Sequence, residues 1–244
     1  MSLSVYLDGR PLDIEKMSEI SLPIDFSMRT ERAWYIGPPV REPVRLPNWT
    51  GSTELGGSVN FYNLRINPHA HGTHIETSWH IDHTRAAQPV VHQLFYKSYL
   101  YTCSPLPDRA LDLSALWQNL PDGISSVVLR TMPNDDAKYT FNYSDTHPPY
   151  LKPSDAAHLA QSGISILLID LPSVDPERDD GALAAHRQFW DNQKSDNANA
   201  ALIGEFLYIP NIITDGEYAL HIQHPSMNTD AVPARIFLIP YVSL

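Results

Sequence analysis

A single cysteine, Cys103, stands in a chain of 244 residues. An internal disulfide is therefore excluded, and a reducing compartment, the cytoplasm, is the expected location. Long apolar runs are missing too: none reaches the roughly 18–20 residues of a membrane span. The opening Met1-Ser2-Leu3-Ser4 has neither the basic start nor the apolar stretch of a secretion leader. Basic residues are scarce, 17 Lys and Arg against 28 Asp and Glu, for a net charge of −11. A phosphate backbone would be repelled, so neither nucleic acid nor membrane is an expected partner. Walker A, Gly-x-Gly-x-x-Gly, Cys-x-x-Cys and Gly-x-Ser-x-Gly patterns are absent, which leaves nucleotide, redox-thiol and serine-elbow chemistry unsupported. Cys103 has no histidine beside it in sequence to activate a thiol.

Proline is plentiful, 21 of 244 residues, against a usual share of about 5%. That points to loops and edge strands rather than a helical bundle. Gly37–Glu54 and Met132–Pro153 read as long surface loops of the kind that form lids or binding loops. Strands are predicted over Ser58–Ile66, Ser125–Arg130, Ile164–Asp170, Phe206–Ile213, Glu217–Gln223 and Ala234–Val242. Thr214-Asp215-Gly216 would close a hairpin between the fourth and fifth of these. Helices are predicted over Leu113–Leu120, over Ser154–Ser162 with Ser154 as cap and Gly163 as stop, and over Asp180–Asp191, where Leu183, His186 and Trp190 share a face. The expectation is a single α/β domain, residues 1–244, with a mixed, largely antiparallel sheet and flanking helices.

Histidine is concentrated in one place. His69, His71, His74 and His80, four of the chain's eleven, fall within twelve positions, with Glu76 among them. Neutral imidazoles and carboxylates without cysteine suit a zinc- or manganese-type cation. Gly72-Thr73 allows a tight turn that can bring neighbouring side chains to one point. If residues 74–80 are extended, His74, Glu76, Ser78 and His80 share a face. If they are helical, Glu76 and His80 pair at i, i+4 while His74 points elsewhere. The extended form gathers more ligands and is favoured for the first part. Further along, Glu205 lies amid apolar residues, where a buried carboxylate needs a partner. Trp79 beside the cluster and His147 in a proline-rich loop are candidate substrate-binding residues, and Trp34 and Trp49 are further stacking candidates.

At these residues the chain resembles the cyclase family, which includes bacterial kynurenine formamidase and isatin hydrolase. The family pattern H-x-G-T-H-x-D-x-P-x-H is matched by Gly72-Thr73-His74-x-Glu76-x-Ser78-x-His80. Ile20-Ser21-Leu22-Pro23-Ile24 is similar to the family's opening strand, and Tyr150–Ala157 to a helix start. Ile169–Pro176 is similar to its Asp-Thr-Pro-Ser-Val-Asp-Pro signature. Leu202-Ile203-Gly204-Glu205 is similar to a glutamate segment, and Asp230–Arg235 to the last strand's entry. The resemblance runs from Ile20 to the C-terminus. It implies a swivelling β/β/α-like fold and a metal-dependent hydrolase of small amides, often N-formyl or cyclic. It also implies a homodimer or larger homo-oligomer in which a neighbour closes the pocket. Carried over by position, His74, Glu76, His80, His186 and Glu205 would be ligands of a divalent metal, zinc or manganese. His80 and Glu205 would be the catalytic residues, His80 passing a proton to the leaving nitrogen.

Three positions depart from the pattern. Ala70 stands where the family's first histidine would be, flanked by His69 and His71, of which His71, nearer the turn, is the expected substitute. Glu76 replaces an aspartate and Ser78 a proline. The interval from His186 to Glu205 is long, and polar Asp191–Ala200 reads as an inserted loop. These departures leave open a second function: a non-catalytic member that binds a small ligand in a site that has lost its metal.

Overall fold

The short β-branched runs in the middle of the chain become the strands of one nine-stranded sheet. In the computed structural model, which describes residues 4–85, 89–194 and 200–242, its strands are β1 (Ser18–Glu19), β2 (His74–Glu76), β3 (Tyr96–Thr102), β4 (Ser126–Arg130), β5 (Ile166–Ile169), β6 (Leu202–Glu205), β7 (Gly216–Gln223), β8 (Ala231–Pro233) and β9 (Arg235–Pro240). The spatial order is β8-β2-β6-β5-β4-β3-β7-β9-β1. The four central strands, β6, β5, β4 and β3, run parallel. The remaining pairings are antiparallel, so the sheet is mixed and mostly antiparallel. Parallel strands need crossovers, which supply the flanking helices: α1 (Leu116–Asn119), α2 (Pro153–Gln161) and α3 (Ala184–Asp191).

Both faces of β4, β5 and β6 are dry. Along β5, Leu167 and Ile169 point into a core shared with Leu159 of α2 and Phe189 of α3. Ile166 and Leu168 point the other way, into a second core. That second core joins Ile75 and Val232 from one end of the sheet to Leu220, Ile236 and Leu238 from the other. Strands from opposite ends meet over one core only if the sheet curls on itself, as the right-handed strand twist favours.

Several predicted elements change. Phe206–Ile213 is not a strand. The strand is β6, just before it, and Phe206 ends it with a left-handed φ of 56°. The backbone N–H groups of Phe206, Leu207 and Tyr208 donate to Leu171, Ile169 and Ile20, so Phe206, Leu207 and Ile209 are buried in a connector, while Ile212 is exposed. The Thr214-Asp215-Gly216 hairpin is likewise absent, since β7 pairs with β3 and β9 instead. Asp215 accepts hydrogen bonds from the Thr102 backbone and hydroxyl and from Arg130. Of Ser58–Ile66 only Tyr62–Arg65 is extended, in a separate ribbon with Val40–Pro43. Helix α2 begins at Pro153 after Lys152, without a side-chain cap, so Ser154 lies inside it. Helix α3 starts only at Ala184, because Leu183 is left-handed with φ 45°. Residues 1–3 of the opening segment and 195–199 of the inserted loop lie outside the described residues. Among the described residues, no helix is long and apolar enough to cross a membrane.

Candidate metal centre

Strand β2 carries the histidine-rich motif into the sheet between β6 and β8. Alternation sends Ile75 into the core and turns His74 and Glu76 to the opposite face, towards the helices. The register sets Glu205 of β6 directly against His74, with Ile203 against Glu76. Cross-strand partners share a face, and the His74 Nε2–Glu205 Oε2 separation is 3.5 Å. After Glu76 the chain leaves the strand. Ser78–His80 forms a 3-10 turn, capped when the Thr77 side chain accepts a bond from the Trp79 N–H. The turn swings His80 back until Nδ1 lies 3.9 Å from Glu76 Oε2. The extended and helical forms of this stretch are thus each realised in part.

From across the sheet, α3 brings His186 to the same carboxylate, Nε2 to Oε1 at 2.8 Å. Asp175 positions that helix. Its carboxylate accepts from the backbone N–H groups of Ala185 and His186, 2.7 and 3.1 Å, and from His186 Nδ1 at 2.6 Å. One acid therefore caps the helix and fixes the ring. Glu205 Oε1 accepts from the Val174 N–H at 2.9 Å, which ties the Pro-Ser-Val-Asp-Pro segment to the site.

Position 70 resolves differently from expectation. A 3-10 turn over Pro68–Ala70 buries Ala70 and rotates His69 inward. His69 Nδ1 lies 3.1 Å from Glu76 Oε2, and its ring meets those of His74 and His80. His71, the expected substitute, turns away: Nδ1 accepts from the Asn67 N–H and Nε2 donates to the Gly37 carbonyl. Both nitrogens are thereby used outside the cluster. The turn depends on Gly72, whose φ is +72°. A Cβ there would lie 3.1 Å from Ile24 Cγ1 and 3.2 Å from the Leu22 carbonyl. Gly72→Ala is expected to destabilise the protein by about 1–3 kcal/mol, read as a lowered urea midpoint with unchanged slope.

Three groups of side chains offer ligand atoms within 4.8 Å of one another: His69, His74 and Glu76; Glu76, His80 and His186; and His69, His80 and Asp230. Glu76 is common to two of them, with Oε2 towards His69 and Oε1 towards His186. Asp230 closes the third, with Oδ2 at 2.8 Å from His69 Nε2 and 3.2 Å from His80 Nδ1.

Imidazoles and carboxylates in this cluster shift one another strongly. Burial alone would raise the Glu76 carboxyl, yet His186, His69 and His80 hold it well below the usual range. Burial and the nearby Glu76 charge push Glu205 up, but the neighbouring His186 and His74 rings leave it lowered. Conversely, burial would lower His186, and the carboxylates of Glu76, Asp175 and Glu205 raise it well above its ordinary value. His69 is raised to about 10 by Asp230 and Glu76 against the pull of burial. In protein alone, protons supply the positive charge that these carboxylates demand. Two buried atoms lack a well-aligned hydrogen bond: His74 Nε2, which has Glu205 Oε2 at 3.5 Å, and Glu76 Oε2, which faces His69 Nδ1 at 3.1 Å. Both belong to the first group, and a divalent cation would satisfy both. Every donor is nitrogen or oxygen, as zinc or manganese accepts, so the residues fit the implied metal.

Beside the cluster opens a cavity of about 380 Å³, bounded by Trp34, Ile36 and Leu183 on its apolar side and by His69, His80 and His186 at its floor. Trp34 is fixed by its indole N–H donating to the His69 carbonyl at 2.8 Å. Trp79 and His147 do not line this cavity. The Trp79 indole donates to the His83 carbonyl, and exposed His147 is held by its backbone to Glu177. Asp230, which sequence spacing gave no reason to join to the cluster, and Asp175, in the Ile169–Pro176 segment, both touch its histidines. Cys103 is buried, and burial raises its thiol, the opposite of what a nucleophile needs.

Residues 18–176 match the profile of the Cyclase family. The chain is 32% identical over 199 residues to kynurenine formamidase of Bacillus mycoides strain KBAB4, covering 78% of this chain and 84% of that one. Kynurenine formamidase of Bacillus cytotoxicus is 27% identical over 209 residues, 80% of this chain and 92% of that one. Among solved structures, a predicted metal-dependent hydrolase from Bacillus stearothermophilus superposes with a TM-score of 0.63 at 18% identity, over 92% of this chain and 98% of that one. An isatin hydrolase bound to the product analogue thioisatinate gives 0.64 at 13% identity, over 93% and 94%. At such identities the structural likeness establishes a shared fold.

Proposed function

This chain belongs to the cyclase family, and we propose that it is a metal-dependent hydrolase that cleaves an amide, N-formyl or cyclic, of a small molecule. The observation that carries the reading is the pair of buried, unsatisfied ligand atoms, His74 Nε2 and Glu76 Oε2, within a group of three convergent ligands. His69, His74 and Glu76 would hold one zinc or manganese ion. His186 and Glu205 border the same carboxylate from the other side and complete the site or hold a second ion. Bound there, the ion would lower the pKa of water to around 7 and polarise a carbonyl.

The remaining work belongs to the chain's own residues. Trp34, Ile36 and Leu183 form an apolar wall for the organic part of a substrate and exclude water from around its amide. His80 lines the cavity with Nδ1 committed to Asp230. Its Nε2 would then be the nitrogen that takes a proton from the attacking water and passes it to the leaving amine as the C–N bond breaks. Asp175 keeps His186 oriented by accepting from Nδ1, leaving Nε2 to face Glu76. The relatives named kynurenine formamidase favour an N-formyl arylamine as the substrate class. The setting would be cytoplasmic and the assembly a homo-oligomer.

The test is hydrolysis of N-formyl arylamines, cyclic imides and lactones by protein purified without chelator. The expected result is turnover of at least one amide that chelator abolishes and zinc or manganese restores. His80→Ala should lower kcat by about 10²–10⁴-fold while the metal stays bound. Full activity in chelator and in both His74→Ala and His80→Ala would refute the reading.

A further inference from the structure

We infer that Asp230 is the positioning residue that makes His69 a metal ligand in place of the histidine missing at Ala70; this rests on the metal-dependent reading above. Asp230 ends the segment before β8, the edge strand paired with β2. Its place is fixed through the backbone, because its carbonyl accepts from the Thr77 N–H at 2.9 Å. Thr229 donates its hydroxyl to Oδ1 at 3.1 Å, which leaves Oδ2 for the histidines. Oδ2 takes His69 Nε2 at 2.8 Å and His80 Nδ1 at 3.2 Å.

The consequence for His69 is a choice of tautomer. Carboxylates flank both nitrogens of His69, Asp230 Oδ2 at 2.8 Å from Nε2 and Glu76 Oε2 at 3.1 Å from Nδ1; once Glu76 is taken up by a cation, Asp230 alone is left to accept the ring's proton, at Nε2. Nδ1 is then bare, and Nδ1 is the nitrogen that lies 3.1 Å from Glu76 Oε2, beside the unsatisfied His74 Nε2. A ring entering from position 69 rather than 70 reaches the site by a different path, through the Pro68–Ala70 turn. Partly exposed and on a loop, it needs an external hold to keep one nitrogen aimed at the ion. Asp230 supplies that hold as carboxylates commonly do for ligating imidazoles. The same oxygen sets His80 with Nδ1–H inward, so one acid orients a ligand and the proton-transfer residue together.

The test is zinc affinity, measured by competition with a chromophoric chelator, for the full-length protein and four variants. Asp230→Ala is expected to weaken zinc binding by about 10–100-fold, and Asp230→Asn, which keeps an acceptor oxygen, by less. His69→Ala should weaken it similarly, and His69→Ala/Asp230→Ala should be little worse than His69→Ala alone. Non-additivity of this kind marks action through His69. Imidazole ¹⁵N spectra of the zinc-loaded protein should show His69 bound through Nδ1 and protonated on Nε2 in the wild type, with that signature weakened in Asp230→Ala. A folded Asp230→Ala that binds zinc as tightly as the wild type, or losses that add in full, would overturn the inference. A wild type that takes up no zinc or manganese would instead refute the metal reading, and this inference with it.

Discussion

Glu76→Ala is expected to remove stoichiometric metal and to lower kcat/KM by about 10³-fold or more, equivalent to roughly 4 kcal/mol of transition-state stabilisation. Glu76 is fully buried and, like His69 and His80, common to two of the three ligand groups, of which it is the shared carboxylate. Its two oxygens face opposite ways, Oε2 to His69 and Oε1 to His186. Removing the carboxylate leaves His69, His80 and His186 without the negative charge they share. Ligand loss and like-charge crowding then act together. Glu76→Gln keeps the shape and removes the charge, so it should behave like Glu76→Ala in metal content. Glu76→Asp shortens the arm by one methylene, while the Oε2–His69 and Oε1–His186 contacts are already 3.1 and 2.8 Å. Weaker metal binding is expected there also. Elemental analysis and steady-state kinetics on the same preparations read both quantities. Full metal content with unimpaired kcat/KM in Glu76→Ala would refute the central place given to this residue.

The largest expected effect on folding lies one residue before His74. Thr73 is almost fully buried, and its hydroxyl does two jobs. It accepts from the Leu22 N–H at 2.7 Å and donates to the Phe206 carbonyl at 2.5 Å. Its backbone adds bonds to Leu22 and Ala234, so four separated segments meet at this residue. Thr73→Val has nearly the same volume but leaves a buried N–H and a buried C=O unpaired. At roughly 1–3 kcal/mol for each unsatisfied group, a loss of about 3 kcal/mol is expected. Thr73→Ser, which keeps the hydroxyl, should lose much less. Urea unfolding in the presence of chelator separates this effect from metal binding. Equal midpoints for Thr73→Val and the wild type would contradict the account of the hydroxyl.

The sequence pointed to which side chains converge better than to how they do so. That His74, Glu76, His186 and Glu205 come together was legible for a physical reason. A carboxylate in an apolar strand must be matched by a proton, a cation or a metal, and the clustered Gly-Thr-His motif supplied the nitrogen ligands nearby. The cyclase resemblance tied the four together. The choice between His69 and His71 was not legible. It depends on a single 3-10 turn and on Gly37 and Asn67 capturing both nitrogens of His71, contacts that no local spacing encodes. Asp230 lies 161 positions from His69, so only the sheet register could bring it there. The central strands were readable from β-branched runs buried on both faces. Phe206–Ile213 misled for the same reason: burial as a connector leaves the same apolar composition as burial in a strand, and only the left-handed Phe206 separates the two.

The metal-dependent reading rests on one cation among the side chains of the 69–80 segment. Anomalous diffraction at the zinc and manganese edges, from crystals of protein never exposed to chelator, locates such an ion directly. The expected map has a peak within about 2.0–2.2 Å of His69 Nδ1, His74 Nε2 and Glu76 Oε2. A map with no anomalous density there, from crystals grown with millimolar zinc or manganese, would contradict the metal-dependent hydrolase.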